Sequence, residues 1–180
     1  MRSDRRTDTG GKTGSDSVRD DDGRSSQTKL SNRQLAITIG VLVAVFDQLT
    51  KAWALNELAD GPIVIIEDVF RLRLTFNTGA SFSLFSNGGV IIAVIAFGVI
   101  GLIMYMLGDA SRRIEAVALG LVLGGSLGNL IDRIFRGAGV LDGAVVDWID
   151  VQFFAVFNAA DVFINVGVAL LLYAAFVRRS

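Results

Sequence analysis

Between residues 88 and 107 the chain reads GGVIIAVIAFGVIGLIMYML, 20 residues without one charged side chain. As a helix rising about 1.5 Å per residue the run is about 30 Å long, the thickness of the hydrocarbon core of a bilayer. It predicts a membrane-spanning helix, and three further segments join it. Leu35–Leu55 is largely apolar but interrupted by Asp47 and Lys51. Ile114–Ile131 is closed by Asp132 and Arg133. Val162–Val177 is extended on its N-terminal side by Phe157-Asn158-Ala159-Ala160-Asp161. The expected fold class is therefore an all-α membrane protein of four transmembrane helices.

The apolar content is uneven. Of the first 33 residues only Met1, Val18 and Leu30 are hydrophobic, against 52% for the whole chain. A stretch so polar cannot bury enough apolar surface to offset chain entropy, which predicts a disordered tail over residues 1–33 and a membrane domain over residues 34–180. Arg5-Arg6 does not begin a twin-arginine signal, because no apolar segment follows before Leu35. Four spans place both ends of the chain on one side. Arg19, Arg24, Lys29, Arg33, Arg112, Arg113, Arg178 and Arg179 lie near the membrane on that side, and Arg71, Arg73, Arg133 and Arg136 on the other. The bias predicts cytoplasmic termini, with the two longer loops facing outward. A formal net charge of −1 offers nucleic acid no basic surface, so no nucleic-acid partner is expected.

In the first outward loop Phe70, Leu72, Leu74 and Phe76 alternate with Arg71, Arg73 and Thr75, the period of an amphipathic strand. This predicts a small extracytoplasmic β element, lining a groove, lying on lipid or merely capping the bundle. In the third span Gly120, Gly124 and Gly128 recur every four residues. Lipid supplies no hydrophobic drive between helices, so such a stripe is read as a close-packing face.

A charge at the centre of a spanning helix costs about 2.5 to 3.5 kcal/mol, which makes the polar residues at membrane depth informative. Asp47 and Lys51 are spaced to pair with one another. Asn129 with Asp132, and Asn158 with Asp161, each share a helix face, and Arg133 is placed to extend toward the interface. Asp132, Asp147 and Asp161 fall toward the outer surface. The chain has no histidine and no cysteine. That excludes His/Cys zinc sites, Ser-His and Cys-His catalysis, haem or iron-sulfur ligation and disulfides. Two neighbouring carboxylates sharing one proton remain as hydrolytic machinery. Spacing leaves three readings open: a carboxylate dyad, an ion-coupling or proton-relay site using Asp47, Asp132 and Asp161, and structural hydrogen-bonded pairs. Spacing does not choose the members of a dyad.

Five blocks at these positions resemble bacterial lipoprotein signal peptidase, also called signal peptidase II, an aspartyl protease of the cytoplasmic membrane. They are Asp47-Gln48-Leu49-Thr50-Lys51, Asn77-Thr78-Gly79-Ala80-Ser81-Phe82, Gly124 through Arg133, Val145-Val146-Asp147-Trp148-Ile149, and Phe157-Asn158-Ala159-Ala160-Asp161. The resemblance implies removal of signal peptides from diacylglyceryl-modified prolipoproteins on the amino side of the lipidated cysteine. It implies Asp147 and Asp161 as the catalytic pair, with Asp47, Lys51, Asn77, Asn129, Asp132, Arg133 and Asn158 positioning substrate or bracing the pair. No metal and no cofactor is expected. The expected partners are prolipoproteins and membrane phospholipid, and the expected state is a monomer. Two departures stand out: Phe76 precedes Asn77 where the family often carries arginine, and the Gly-rich stretch between Asp132 and Asp147 is longer than usual, which predicts a looped-out insertion. Outside this family, an ion-coupled transporter and a non-catalytic scaffold held by the glycine stripe are the rival classes.

Overall fold

The structure is a computed structural model and describes residues 30–79 and 88–179. Most of the expected tail and the end of the Asn77–Phe82 block lie outside the described residues.

Among the described residues, four helices are long and apolar enough to cross a membrane. The first, α1 (Asn32–Glu57), starts at a reciprocal cap in which Ser31 Oγ accepts from Gln34 N and Gln34 Oε1 accepts from Ser31 N. After it come β1 (Ile63–Ile66), β2 (Phe70–Asn77), α2 (Gly88–Met106), α3 (Arg113–Phe135), β3 (Val145–Val151) and α4 (Ala159–Arg179). Helix α3 is the axis of the bundle, with α1 and α4 packed on its two flanks and α2 lying more loosely against it. The glycine stripe does the work expected of it on the α1 side. A Cβ on Gly124 would stand 2.5 Å from Gly40 O, and one on Gly120 would stand 2.7 Å from Ala36 O. On the α4 side a Cβ on Gly125 would stand 2.5 Å from Ala160 O. Small residues thus bring the polar end of α3 against both neighbours. Ala36, Ile103, Leu107, Ala116, Leu119, Val122 and Leu123 form the buried apolar cluster. Ile91, Val94, Ile95, Phe97 and Leu102 of α2 stay exposed, as lipid-facing residues do.

The expected strand is β2, and it sits at the centre of a three-stranded antiparallel sheet ordered β1-β2-β3. Its alternation is not continuous. Leu72 pairs with Ile149 but Thr75 pairs with Asp147, so β2 carries one extra residue between them. A bulge of this kind re-aims the side chains beyond it. Before it, Arg71 opposes Asp150; beyond it, Thr75 opposes Asp147. Odd-numbered residues of β2 therefore serve opposite faces of β3 on the two sides of the bulge. The sheet is tied to the bundle by Trp148, whose ring meets Trp53 of α1 edge-on at 5.5 Å. Phe157 O accepts from Trp148 N and Ile149 N, carrying the chain from β3 directly into α4.

The stretch between Asp132 and Asp147 loops out only at its tip. Val140 and Asp142 are exposed, but Gly143 is buried, with its N–H donating to Arg133 O at 3.0 Å. Arg133 does not extend to the interface as expected. It is 4% exposed and donates to Gly143 O at 3.2 Å, pinning the base of the loop that leads into β3.

Candidate active site

The site is assembled where the polar ends of α1, α3 and α4 meet the sheet. Helix α1 contributes Asp47 and Lys51 one turn apart, and both are fully buried. The ammonium of Lys51 is 2.7 Å from Asp47 Oδ2 and 2.8 Å from Asp132 Oδ2 on α3. Its third contact is Asn129 Oδ1 at 2.8 Å. An ammonium has three hydrogens, so Lys51 is saturated. Asp47 Oδ1 also accepts from Ala160 N at 3.0 Å, locking α1 to the start of α4. Asp132 is closed off by Arg136 Nε at 2.7 Å and by Val146 N at 3.2 Å. Gln48 donates to Gly128 O and lies within hydrogen-bond distance of both Asp47 and Asp132.

Helix α4 opens on Asn158 and Asp161, whose spacing is that of a reciprocal N-terminal cap. Asn158 Oδ1 accepts from Asp161 N at 3.1 Å, and Asp161 Oδ2 accepts from Asn158 N at 3.2 Å. The same side chains face inward to the site. Asn158 Nδ2 donates to Asp147 Oδ1 at 2.6 Å and approaches Asn129 Oδ1 at 3.1 Å. Asn129 Nδ2 donates to Asp161 Oδ1 at 2.9 Å. From β2, Asn77 Nδ2 donates to Asp147 Oδ2 at 3.0 Å, a contact that the bulge makes available.

Asp147 and Asp161 thus stand on either side of an Asn129–Asn158 amide pair. Asp147 is 2% exposed. Burial pushes its carboxyl up to about 6, and the charge of Asp161 adds to this, while N–H bonds from Asn158 and Asn77 and the charge of Lys51 pull the other way. Asp150, three residues on, is different. Arg71 Nε and Arg73 Nε reach its Oδ2 at 2.6 and 2.8 Å and hold it below the ordinary carboxylate range. Asp142 is exposed and accepts from Gly139 N.

Eight of the nine residues singled out in the sequence, namely Asp47, Lys51, Asn77, Asn129, Asp132, Asp147, Asn158 and Asp161, form one hydrogen-bonded network. Arg133, also on α3, supports it by pinning the loop at Gly143. Sequence reasoning missed Gln48, Arg136 and Thr75. The spacing of Asp132 and Arg136 signalled their pairing. Nothing local signalled Thr75, whose buried Oγ1 has no partner among the described residues and whose position opposite Asp147 depends on the bulge.

Fold and site define a four-helix membrane protein with an inward-facing cluster of carboxylates and amides at one end of its bundle. Residues 39–177 match the family described as Signal peptidase (SPase) II. The lipoprotein signal peptidase of Rhodococcus jostii (strain RHA1) is 40% identical over 141 residues, covering 78% of this chain and 71% of the relative. That of Symbiobacterium thermophilum is 40% identical over 150 residues, covering 81% and 97%. A bacterial membrane enzyme structure determined by the in meso method at 1.9 Å resolution superposes with a TM-score of 0.68 at 28% identity, covering 78% of this chain and 91% of that one. The chain belongs to the signal peptidase II family and is a multi-pass membrane protease.

Proposed function

We propose that this protein is an aspartyl endopeptidase that removes signal peptides from diacylglyceryl-modified prolipoproteins, cutting on the amino side of the lipidated cysteine. The reading is supported by the names of its relatives and by one contrast within the site. Of the four carboxylates gathered there, Asp47 and Asp132 are neutralised by Lys51, and Asp132 by Arg136 as well. Among the described residues, the side-chain donors to Asp147 and Asp161 are asparagine amides. A carboxylate held by amides is not tied to a cation that favours its charged form. This contrast supports Asp147 and Asp161 as the dyad and disfavours a relay through Asp47, Asp132 and Asp161.

The dyad shares one proton. Asp147, where burial favours the protonated form, donates to the scissile carbonyl oxygen, while Asp161 takes a proton from the attacking water, whose oxygen bonds to the carbonyl carbon. When the C–N bond breaks, the proton held by Asp161 goes to the leaving amine, and Asp147 recovers its own from the hydroxyl of the tetrahedral intermediate. Asn129 and Asn158 hold the two carboxyls in mutual register, Asn77 fixes Asp147 from the sheet, and Asp47, Lys51, Asp132 and Arg133 brace them. Residues 34–180 form the peptidase and residues 1–33 an appendage to it. Both termini are cytoplasmic and the dyad faces the extracytoplasmic side, where the acyl chains of the substrate stay among the membrane phospholipids and the enzyme acts as a monomer.

The test is mass spectrometry of products from two synthetic precursors, identical except for the diacylglyceryl group on the cysteine, incubated with the purified full chain. A single cut before the lipidated cysteine, with the unlipidated precursor left intact, supports the proposal. Equal cleavage of both, or cutting elsewhere, contradicts it.

A further inference from the structure

The pairing of Lys51 with Asp47 explains only one of the three hydrogens on its ammonium. The third goes to Asn129 Oδ1 at 2.8 Å, and this contact controls the polarity of the site. A primary amide presents an acceptor at one end and donors at the other. Lys51 can only donate, so it claims the oxygen of Asn129 and turns Nδ2 of that amide toward Asp161 Oδ1, 2.9 Å away. The neighbouring amide is fixed by another obligate donor, Asp161 N, which claims Asn158 Oδ1 and turns Asn158 Nδ2 toward Asp147. Each dyad carboxyl therefore receives an amide N–H, and the orientation of one of the two donors is set from α1. Were Asn129 reversed, its oxygen would face Asp161 Oδ1 as acceptor against acceptor, and its NH2 would face the NH2 of Asn158.

We propose that Lys51 is a positioning residue of the reaction: through Asn129 it fixes which end of an amide meets Asp161, and so holds the dyad in its working geometry. The inference rests on Asp147 and Asp161 being that dyad. Asp47 and Asp132 then have a task as well. They supply the remaining two acceptors that hold the ammonium, fully buried, in one orientation. Among the described residues, the charged and titratable groups facing Asp147 are Asp161 on α4, Lys51 on α1 and Arg133 on α3, so losing Lys51 also removes a positive charge that holds the Asp147 carboxyl down.

Lys51→Met alone would leave two buried carboxylates short of a partner. The informative comparison is Asp47→Asn against the double variant Asp47→Asn, Lys51→Met, in which buried charge is removed in equal and opposite amounts relative to the native chain. Both are assayed as full-length proteins on a diacylglyceryl-modified precursor, with thermal unfolding followed in parallel. The expected result is a kcat for the double variant at least about tenfold below that of Asp47→Asn, as expected for a misaligned reacting group, with KM within about twofold. The alkaline-side half-maximum of its pH profile, which reports the proton on Asp147, moves upward relative to Asp47→Asn. A kcat within about threefold of the single variant, a loss carried wholly by KM, or a loss that tracks a fall in Tm with the pH profile unmoved would overturn the inference. If the double variant matches the single one while Asp147→Asn and Asp161→Asn are inactive, only the role of Lys51 fails. If either Asp→Asn variant turns over normally, the dyad itself fails.

Discussion

Asp147 shows what a single residue's surroundings decide. Its carboxyl is buried among amide donors, with no cation bonded to it among the described residues, and sits at about 6 rather than the ordinary 3.8. In the unfolded chain it ionises near the ordinary value, so between about 4 and 6 the folded protein binds more protons than the unfolded one. Stability then falls as pH rises through that window, by up to about 3 kcal/mol if the full displacement is realised. Asp147→Asn, which cannot ionise, lacks this loss. Thermal unfolding of the two proteins from pH 4 to 7 should show the native chain losing ground to Asp147→Asn as pH rises, whereas parallel curves would contradict the assignment. Asp150 lies three residues away and carries the same side chain, but two arginines hold it ionised. Sequence spacing treats Asp147, Asp150 and Asp132 alike, because what separates them is whether a cation or an amide reaches them from another element. Hence the sequence located the polar cluster at one end of the bundle while the choice of pair came from family resemblance.

At the scale of elements, the spanning helices were legible because their signal is local: length, apolar content and the glycine period are all written in consecutive residues. The strand β2 was legible for the same reason, yet its bulge was not, because register is set by β3, some 70 residues later in the chain. That bulge gives Asp150 its arginines and Asp147 its Asn77. Arg133 was misplaced by a related route. A long cation at a helix end ordinarily reaches water, and here the returning loop at Gly143 covers it. The glycine stripe yields a direct expectation. A Cβ on Gly124 would stand 2.5 Å from the backbone oxygen of Gly40 and 2.5 Å from Val43 Cβ, so even alanine must push α1 away. Gly124→Ala should destabilise by about 1 to 3 kcal/mol and lower turnover, since Asp47 and Lys51 ride on the displaced helix. Gly98→Ala, whose Cβ meets nothing within 4 Å among the described residues, on lipid-facing α2, should leave Tm unchanged or slightly raised. Equal Tm values for the two variants would show that the stripe is not a packing face.

Across the whole molecule, a highly apolar bundle carries a compact polar centre at one end, and its parts answer to one another. Small residues on α3 draw α1 and α4 close, and that closeness lets Lys51 reach Asn129 and Asp132 while Ala160 N reaches Asp47. The sheet closes over the same end and delivers Asp147. With no histidine and no cysteine in the chain, the proposed mechanism gives the general acid and base work to Asp147 and Asp161. The most direct measurement is single-turnover cleavage of a diacylglyceryl-modified precursor by purified native, Asp147→Asn and Asp161→Asn proteins, with Tm recorded for each. A dyad in which each member moves a proton predicts that both variants stay folded and lose at least about a hundredfold in rate, within the range positioned acid-base groups contribute. A folded variant of either kind that cleaves at close to the native rate would contradict it.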